Sequence, residues 1–419
     1  MLRIAFIDHA YHKITKSADF FVDLLKARFD VTHFYDGVQS HDFVSDIVLA
    51  EFDIIVLWQT EYLAPFFLAS GQRVVCVPMY DGVSQVPDYY WHHMRQARII
   101  SFCDAIHRRV NHLGLTSLPV KYMKDPAKYT ATQDYASPRV VFWQRMPEHG
   151  IDAKLVRKII GKDVPLHVHD APDLVAPGKY DPPEATTISH FELRENMLSK
   201  AMNWGNVFIC PRYAEGIGMA MLEALGRGMV VIAHDQPTQN EYIENGKTGF
   251  LVDFTKILAG NESAAPVTFD IDPIFLSEDE VPQADTRSPV RTLSEMGHAA
   301  RETALALYAK WQLSETDILD FVEETPRPTG IRLSPKKRAQ LARETELWHH
   351  HPREVIRLMG YWEDNGICLQ DYKLMGKAQK KRIRRRQSLW FHGLRRAYWA
   401  LKAFLNRSRR LKHLVKSRL

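Results

Sequence analysis

Runs at 3–7, 31–35, 54–58, 74–78, 99–103 and 120–123 are each about a strand long and rich in apolar residues, and 54–58 is apolar throughout, as in a strand buried on both faces. At least one intervening stretch is helical in period: Phe20, Phe21, Leu24, Leu25 and Phe29 fall on one side, with Ser17 placed as the N-cap. Strands separated by helical stretches predict right-handed crossovers and a parallel, Rossmann-like sheet. The pattern breaks at 134–138, Asp-Tyr-Ala-Ser-Pro, as a linker does, and restarts at 140–143 with Val-Val-Phe-Trp. Runs at 166–170 and 186–189 extend a second sheet; His167 and His169 read as structural side chains of that strand rather than metal ligands. The chain is therefore expected to hold two α/β domains.

The most informative stretch is 206–253. The apolar run 207–210 closes at Pro211, and Met219, Met221, Leu222 and Leu225 then recur at helical spacing, so a helix begins near Gly218 and ends around Gly226 or Gly228. The run 229–233 is the next strand. A strand, a glycine loop, a helix and a strand in that order place a site at the carboxyl edge of a parallel sheet. Gly216 and Gly218 let a ligand approach the unpaired N–H groups of the helix start, where an anion or a polar sugar can dock. Glu215 stands at the mouth of this loop and Glu223 further along the helix.

Glu215 and Glu223, separated by seven residues with Gly216-Ile217-Gly218 between them, resemble the donor-sugar motif of retaining GT-B glycosyltransferases of the family-four type. The downstream Glu241-Tyr242-Ile243, Asn245-Gly246 and Thr248-Gly249-Phe250-Leu251-Val252 resemble the segment that follows it there. The resemblance covers roughly 140–324 well and the first 135 residues in fold pattern only. It implies two Rossmann-like domains facing across a cleft: an acceptor domain over 1–135 and a donor domain over 136–325, the latter interrupted by an acidic, Pro-containing insertion near 254–292. Helical spacing resumes over 296–321, similar to the closing helices that cross back onto the first domain.

Residue by residue, the resemblance implies that Arg145 holds the donor diphosphate, Glu215 the sugar hydroxyls and Glu223 the ribose. Backbone N–H groups after Glu215 would share the phosphate charge or meet the sugar. The lysine usual four residues after the arginine is replaced by His149, so the second half of the clamp falls either to His149, as a pH-dependent contact, or to Lys154 on the next helical turn. His190 and Glu192 stand where the family holds the nucleotide base. The histidine common after the fourth strand is absent, and Tyr80 or Asp81 occupies its place. His9, His12 and Lys13, in the first loop, are candidates on the acceptor side. The resemblance further implies retention by same-face attack, with a nucleotide-diphosphate sugar as substrate, no cofactor and no bound metal.

Charge divides the chain. Overall it is +5, yet residues 372–419 hold 17 Lys or Arg and no Asp or Glu, so the body before them is acidic. Beyond the α/β region, 326–371 reads as a helical extension, with Pro335 and Pro352 at helix starts and Ser334 as an N-cap. In the tail, Trp390, Leu394, Ala397, Tyr398, Leu401 and Leu405 share one helical side among basic residues. Such a helix is expected to lie on an anionic membrane surface, to dock on the acidic body, or to bind nucleic acid; the first is the reading adopted, with no nucleic acid expected. His349-His350-His351 cannot share one helix face, which argues against a metal site.

Cys76, Cys103, Cys210 and Cys368 lie far apart, as suits a reducing compartment without disulfides or zinc. The N-terminal apolar run is too short for a signal peptide, and no stretch approaches a membrane span. The expectation is a cytoplasmic enzyme, peripheral on the inner face of the membrane, that builds a surface polysaccharide or glycolipid from a saccharide or glycolipid acceptor. Two rival classes are a catalytically silent sugar-nucleotide-binding or assembly protein and a nucleic-acid-binding protein acting through the tail.

Overall fold

The computed structural model describes residues 1–9, 12–35, 47, 52–84, 86, 88–92, 94–172, 185–190, 196–259 and 292–329. Glu192, most of the insertion, most of the helical extension and the basic tail lie outside them.

Two six-stranded, all-parallel sheets organise the chain. The first contains β1 (Arg3–Asp8), β2 (Asp30–Tyr35), β3 (Ile54–Trp58), β4 (Arg73–Val77), β5 (Arg98–Ser101) and β6 (Thr116–Pro119), in the order β2-β1-β3-β4-β5-β6. The second contains β7 (Val140–Gln144), β8 (Leu166–Asp170), β9 (Thr187–His190), β10 (Val207–Ile209), β11 (Val230–His234) and β12 (Gly249–Val252), in the order β12-β11-β10-β7-β8-β9. Central strands are buried along their length: Ile4 pairs with Val31 and Ile54, and Val207 with Val140 and Val230. This is why their sequence reads as continuous apolar runs rather than alternating ones.

Strand order reverses between β1 and β3 in the first sheet and between β7 and β10 in the second. In open parallel sheets the crevice beyond the carboxyl ends at such a switch point is where ligands bind. The loops after β1 and β3, and those after β7 and β10, are thereby marked before any side chain is considered.

One helix ties the lobes together. Leu293–Glu323 starts with a capping box, the Thr292 side chain accepting from Glu295 N while the Glu295 carboxylate accepts from Thr292 N. Its first half is buried with the second sheet through Met296, Ala300 and Ala304. Its later Trp311 meets Phe20, Phe102 and Tyr122 of the first lobe at ring centroid distances of 5.8, 6.3 and 4.9 Å. The carbonyls of Phe321 and Thr325 then accept from Arg98 and Arg73. The helical spacing expected over 296–321 is thus one longer helix that crosses from one lobe to the other.

Three expectations need correction. The sixth strand is Thr116–Pro119, not 120–123: after Val120 N bonds Ser101 O the chain leaves the sheet, and Tyr122 and Met123 are buried at the contact between the lobes, Tyr122 stacked on Phe20 and beside Trp311, instead of by strand neighbours. Ser17 does not cap the helix expected after it, which runs Asp19–Lys26 behind Ala18 without any side-chain cap bond; the Ser17 hydroxyl faces Thr15 Oγ1 at 3.1 Å, at the end of a short helical turn His12–Thr15 within the expected first loop. The insertion does not begin at 254, because Phe254–Leu258 is a helical turn capped by Asp253, with Phe254 and Ile257 in the core beneath the second sheet.

Candidate active site

The loop after β10 carries Glu215 and opens the helix Met219–Arg227. Gly218 is the N-cap residue, with φ +80° in the left-handed region, which is why a glycine stands there. Ile217 is buried and anchors the turn. Gly216 lies against the first lobe: a Cβ added to it would sit 3.0 Å from Met79 Cβ and 3.2 Å from Asp81 Oδ1. The backbone of the loop is fixed from behind by two fully buried residues. Thr238 Oγ1 donates to the carbonyls of Glu215 and Gly216, both at 3.0 Å, and Gln239 Nε2 donates to Arg212 O at 2.9 Å. Glu215 itself is 7% exposed, and its Oε2 stands 3.8 Å from Arg212 Nη1.

Glu223, one and a half turns along the helix, accepts from Arg227 Nε at 3.1 Å and from its Nη2 at 2.8 Å, both through Oε1. Arg227 is buried, held also by Ser199 and Asn203 and seated over the Tyr129 ring. The Glu223 carboxylate is therefore oriented by a fixed cation, a partnership that the sequence spacing did not announce.

Across the switch point, the loop after β7 is organised by Gln144, which donates to Asp170 Oδ1 at 3.0 Å and accepts from Ala153 N at 3.1 Å. Arg145 lies with its guanidinium 4.8 Å from the centre of the Trp143 ring, half-buried at the carboxyl edge. His149 and Lys154 are both exposed, and Tyr213 Oη donates to His149 O at 3.2 Å, joining the Arg145 loop to the Glu215 loop. His190 ends β9 and is largely exposed, with Nδ1 3.2 Å from Asp170 O. His167 and His169 are bound to the hydroxyls of Thr187 and Ser189, as expected of structural side chains, and burial pulls the His169 imidazole down to about 4. Among the described residues no cluster of His, Cys, Asp and Glu could hold a metal ion.

The first lobe faces this edge with the loops after β1, β3 and β4. Asp81 Oδ2 accepts from Arg212 Nη1 at 2.8 Å, while its Oδ1 is buried without a hydrogen-bond partner. Glu61, after β3, is buried; it accepts from Tyr90 Oη at 2.8 Å and keeps Oε2 unpartnered, and burial raises its carboxyl above the ordinary range. After β1, the fully buried Asp8 accepts at Oδ1 from His9 N (2.7 Å), with His12 Nδ1 2.6 Å away, and has Oδ2 3.1 Å from His33 Nε2. Lys13 is exposed beside them. The sequence points to His9, His12 and Lys13 but not to Asp8, which holds the His12 ring and the His9 backbone, or to His33, which takes the other Asp8 oxygen.

A second cross-lobe contact lies beside the first. Glu241 accepts from Asp104 N at 2.7 Å, Ala105 N at 3.0 Å and Cys103 Sγ at 3.2 Å, and is paired with Lys121. It thereby caps the first-lobe helix Asp104–His112 from the second lobe. Burial raises its carboxyl but is outweighed by Lys121 and the backbone donors, and the net shift is downward. The neighbouring Cys103 thiol is pushed up to about 11, mainly by burial. Tyr242 Oη completes this seam, donating to Tyr122 O at 3.2 Å.

Comparison with known proteins agrees with this geometry. Residues 183–263, from just before β9 to past β12 and the helical turn Phe254–Leu258, match the family model of glycosyl transferases group 1. No curated protein matches the chain by sequence. Among solved structures, sucrose-phosphate synthase from Thermosynechococcus elongatus superposes with a TM-score of 0.54 at 12% identity, over 77% of this chain and 99% of its own. HepE of Anabaena in complex with UDP-glucose superposes with a TM-score of 0.50 at 13% identity, over 76% of this chain and 100% of its own. The architecture is the two-domain GT-B fold, and the matched segment holds Glu215, Glu223 and their glycine loop.

Proposed function

We propose that this chain is a glycosyltransferase that moves a sugar, with retention, from a nucleotide-diphosphate donor to a saccharide or glycolipid acceptor in surface polysaccharide or glycolipid synthesis. One observation carries the reading: a buried carboxylate, Glu215, and a left-handed glycine open a helix at the switch point of a parallel sheet, within the segment that matches glycosyl transferases group 1. Glu215 would take the sugar hydroxyls, Glu223 the ribose, and Arg145 with the helix N-terminus the diphosphate charge that grows as the glycosidic bond breaks. A UDP-sugar is consistent with the UDP-glucose bound by HepE, which shares the fold. Attack from the same face needs no enzymic nucleophile, and the charge carried by Arg145 and the helix start makes a divalent metal unnecessary in this reading.

A panel of labelled UDP- and GDP-sugars, with and without EDTA, tests it. Release of nucleotide with the anomeric configuration retained and no loss on chelation is the expected result, and binding without turnover supports a silent sugar-nucleotide-binding protein instead. That second reading draws on His149 in place of the usual lysine and on its exposure. No helix among the described residues is long and apolar enough to cross a membrane. Attachment to the inner membrane face would fall to the basic segment 372–419, so full-length protein is expected to float with anionic liposomes and a chain ending at Asp371 is not.

A further inference from the structure

Arg212 lies three residues before Glu215, in a loop whose backbone is already fixed by Thr238 and Gln239. Its side chain is therefore not needed to hold its own loop. Instead it crosses to the other lobe and binds Asp81 Oδ2 at 2.8 Å, with Glu215 Oε2 at 3.8 Å on its near side. One cation thus stands between two carboxylates that belong to opposite walls of the cleft. Gly216 closes against the same spot, so the Glu215 turn and the turn after β4 cannot shift relative to one another without breaking this pair.

Asp81 is left half satisfied. Oδ1 is buried with no hydrogen-bond partner, and an unmet carboxylate oxygen out of water carries a desolvation cost that folding alone does not recover. A hydroxyl donated by a ligand would meet it. Arg212 fixes the rotation of Asp81 through the 2.8 Å bond to Oδ2, so the oxygen that remains is an acceptor at a set place beside the Glu215 turn.

We infer that Arg212 is a positioning residue of the donor site. By pairing with Asp81 across the seam it sets the spacing between the Glu215 turn and the first lobe, and it holds Asp81 with Oδ1 ready for a hydroxyl of the bound sugar. This assignment rests on the glycosyltransferase reading and adds to it the pair of residues that reads the sugar rather than the nucleotide.

The test uses the full chain and its Arg212→Ala, Arg212→Lys and Asp81→Asn variants, titrated calorimetrically with UDP, UDP-glucose, GDP and GDP-mannose. With the nucleotide that wild type binds, Arg212→Ala is expected to hold the bare diphosphate within about twofold of wild type and the sugar conjugate about tenfold more weakly, the scale of one charged hydrogen bond lost. Asp81→Asn should show the same split, and Arg212→Lys should recover part of it. In thermal unfolding, the Arg212→Ala/Asp81→Asn double variant should lose no more than the worse single, because both remove one interaction. Equal weakening of diphosphate and conjugate in Arg212→Ala would make Arg212 a phosphate ligand and overturn the inference, as would no change in either, or additive losses in thermal stability. A wild-type chain that binds none of the four probes overturns the glycosyltransferase reading itself and this assignment with it.

Discussion

A carboxylate that is 7% exposed can recognise hydroxyls only if its surroundings leave it charged and correctly turned, and the bonds from the Thr238 hydroxyl to Glu215 O and Gly216 O hold the backbone that aims it. Glu215→Gln keeps the volume and removes the charge. It is expected to lower turnover of the donor by about 100-fold while leaving the folded structure in place, to be checked by initial rates alongside circular dichroism. His169 gives a second residue-scale prediction, this one on stability. Burial lowers its imidazole to about 4 from an ordinary 6.5, so the unfolded chain binds that proton first as pH falls. The resulting penalty is absent above pH 6.5, grows between 6.5 and about 4, and is constant below. His169→Gln should therefore lose less stability than wild type between those pH values, measured by urea unfolding across the range. At this scale the sequence was legible where chemistry is local. Glu215, Gly216, Ile217 and Gly218 are consecutive, and so readable. Arg212 and Asp81 are 131 residues apart, and nothing in either neighbourhood points to the other.

Among the elements, the central strands were legible because burial on both faces writes an uninterrupted apolar run. The one misplaced strand shows where that inference breaks. Tyr122 and Met123 fill the contact between lobes, and a periodicity argument cannot separate burial there from burial in a sheet. The long helix Leu293–Glu323 was recognised by period, but its Gly297 was not explained. Helix propensity alone makes Gly→Ala there stabilising by about 1 kcal/mol. The structure reverses the sign: a Cβ on Gly297 would lie 2.4 Å from the Tyr135 ring, whose hydroxyl is held by Gly228 O at 2.6 Å. Gly297→Ala is expected to destabilise by about 1–3 kcal/mol, the usual cost of overpacking, and pairing it with Tyr135→Ala should relieve the loss in denaturant unfolding.

For the molecule as a whole, the lobes meet through side chains that complete each other's backbone, which ties their relation to the protonation of a few groups. Glu241 is the clearest case, since from the second lobe it satisfies the first N–H groups of the helix Asp104–His112 and pairs with Lys121. Glu241→Gln retains a carbonyl that can accept one of those bonds but loses the charge that pairs with Lys121 and complements the helix dipole. At neutral pH the variant should be less stable than wild type by about 1–3 kcal/mol. Because the folded carboxyl lies below its ordinary 4.5, the stabilisation is fully present above that value and is lost as pH falls through the lower folded one. Urea unfolding of both proteins from pH 7 downward should therefore show two curves that converge at the acid end. Curves that stay parallel would mean that Glu241 acts through its shape and not its charge. The seam between the lobes would then be held by packing around Trp311 and Tyr242 rather than by an ion pair, and its strength would not respond to pH.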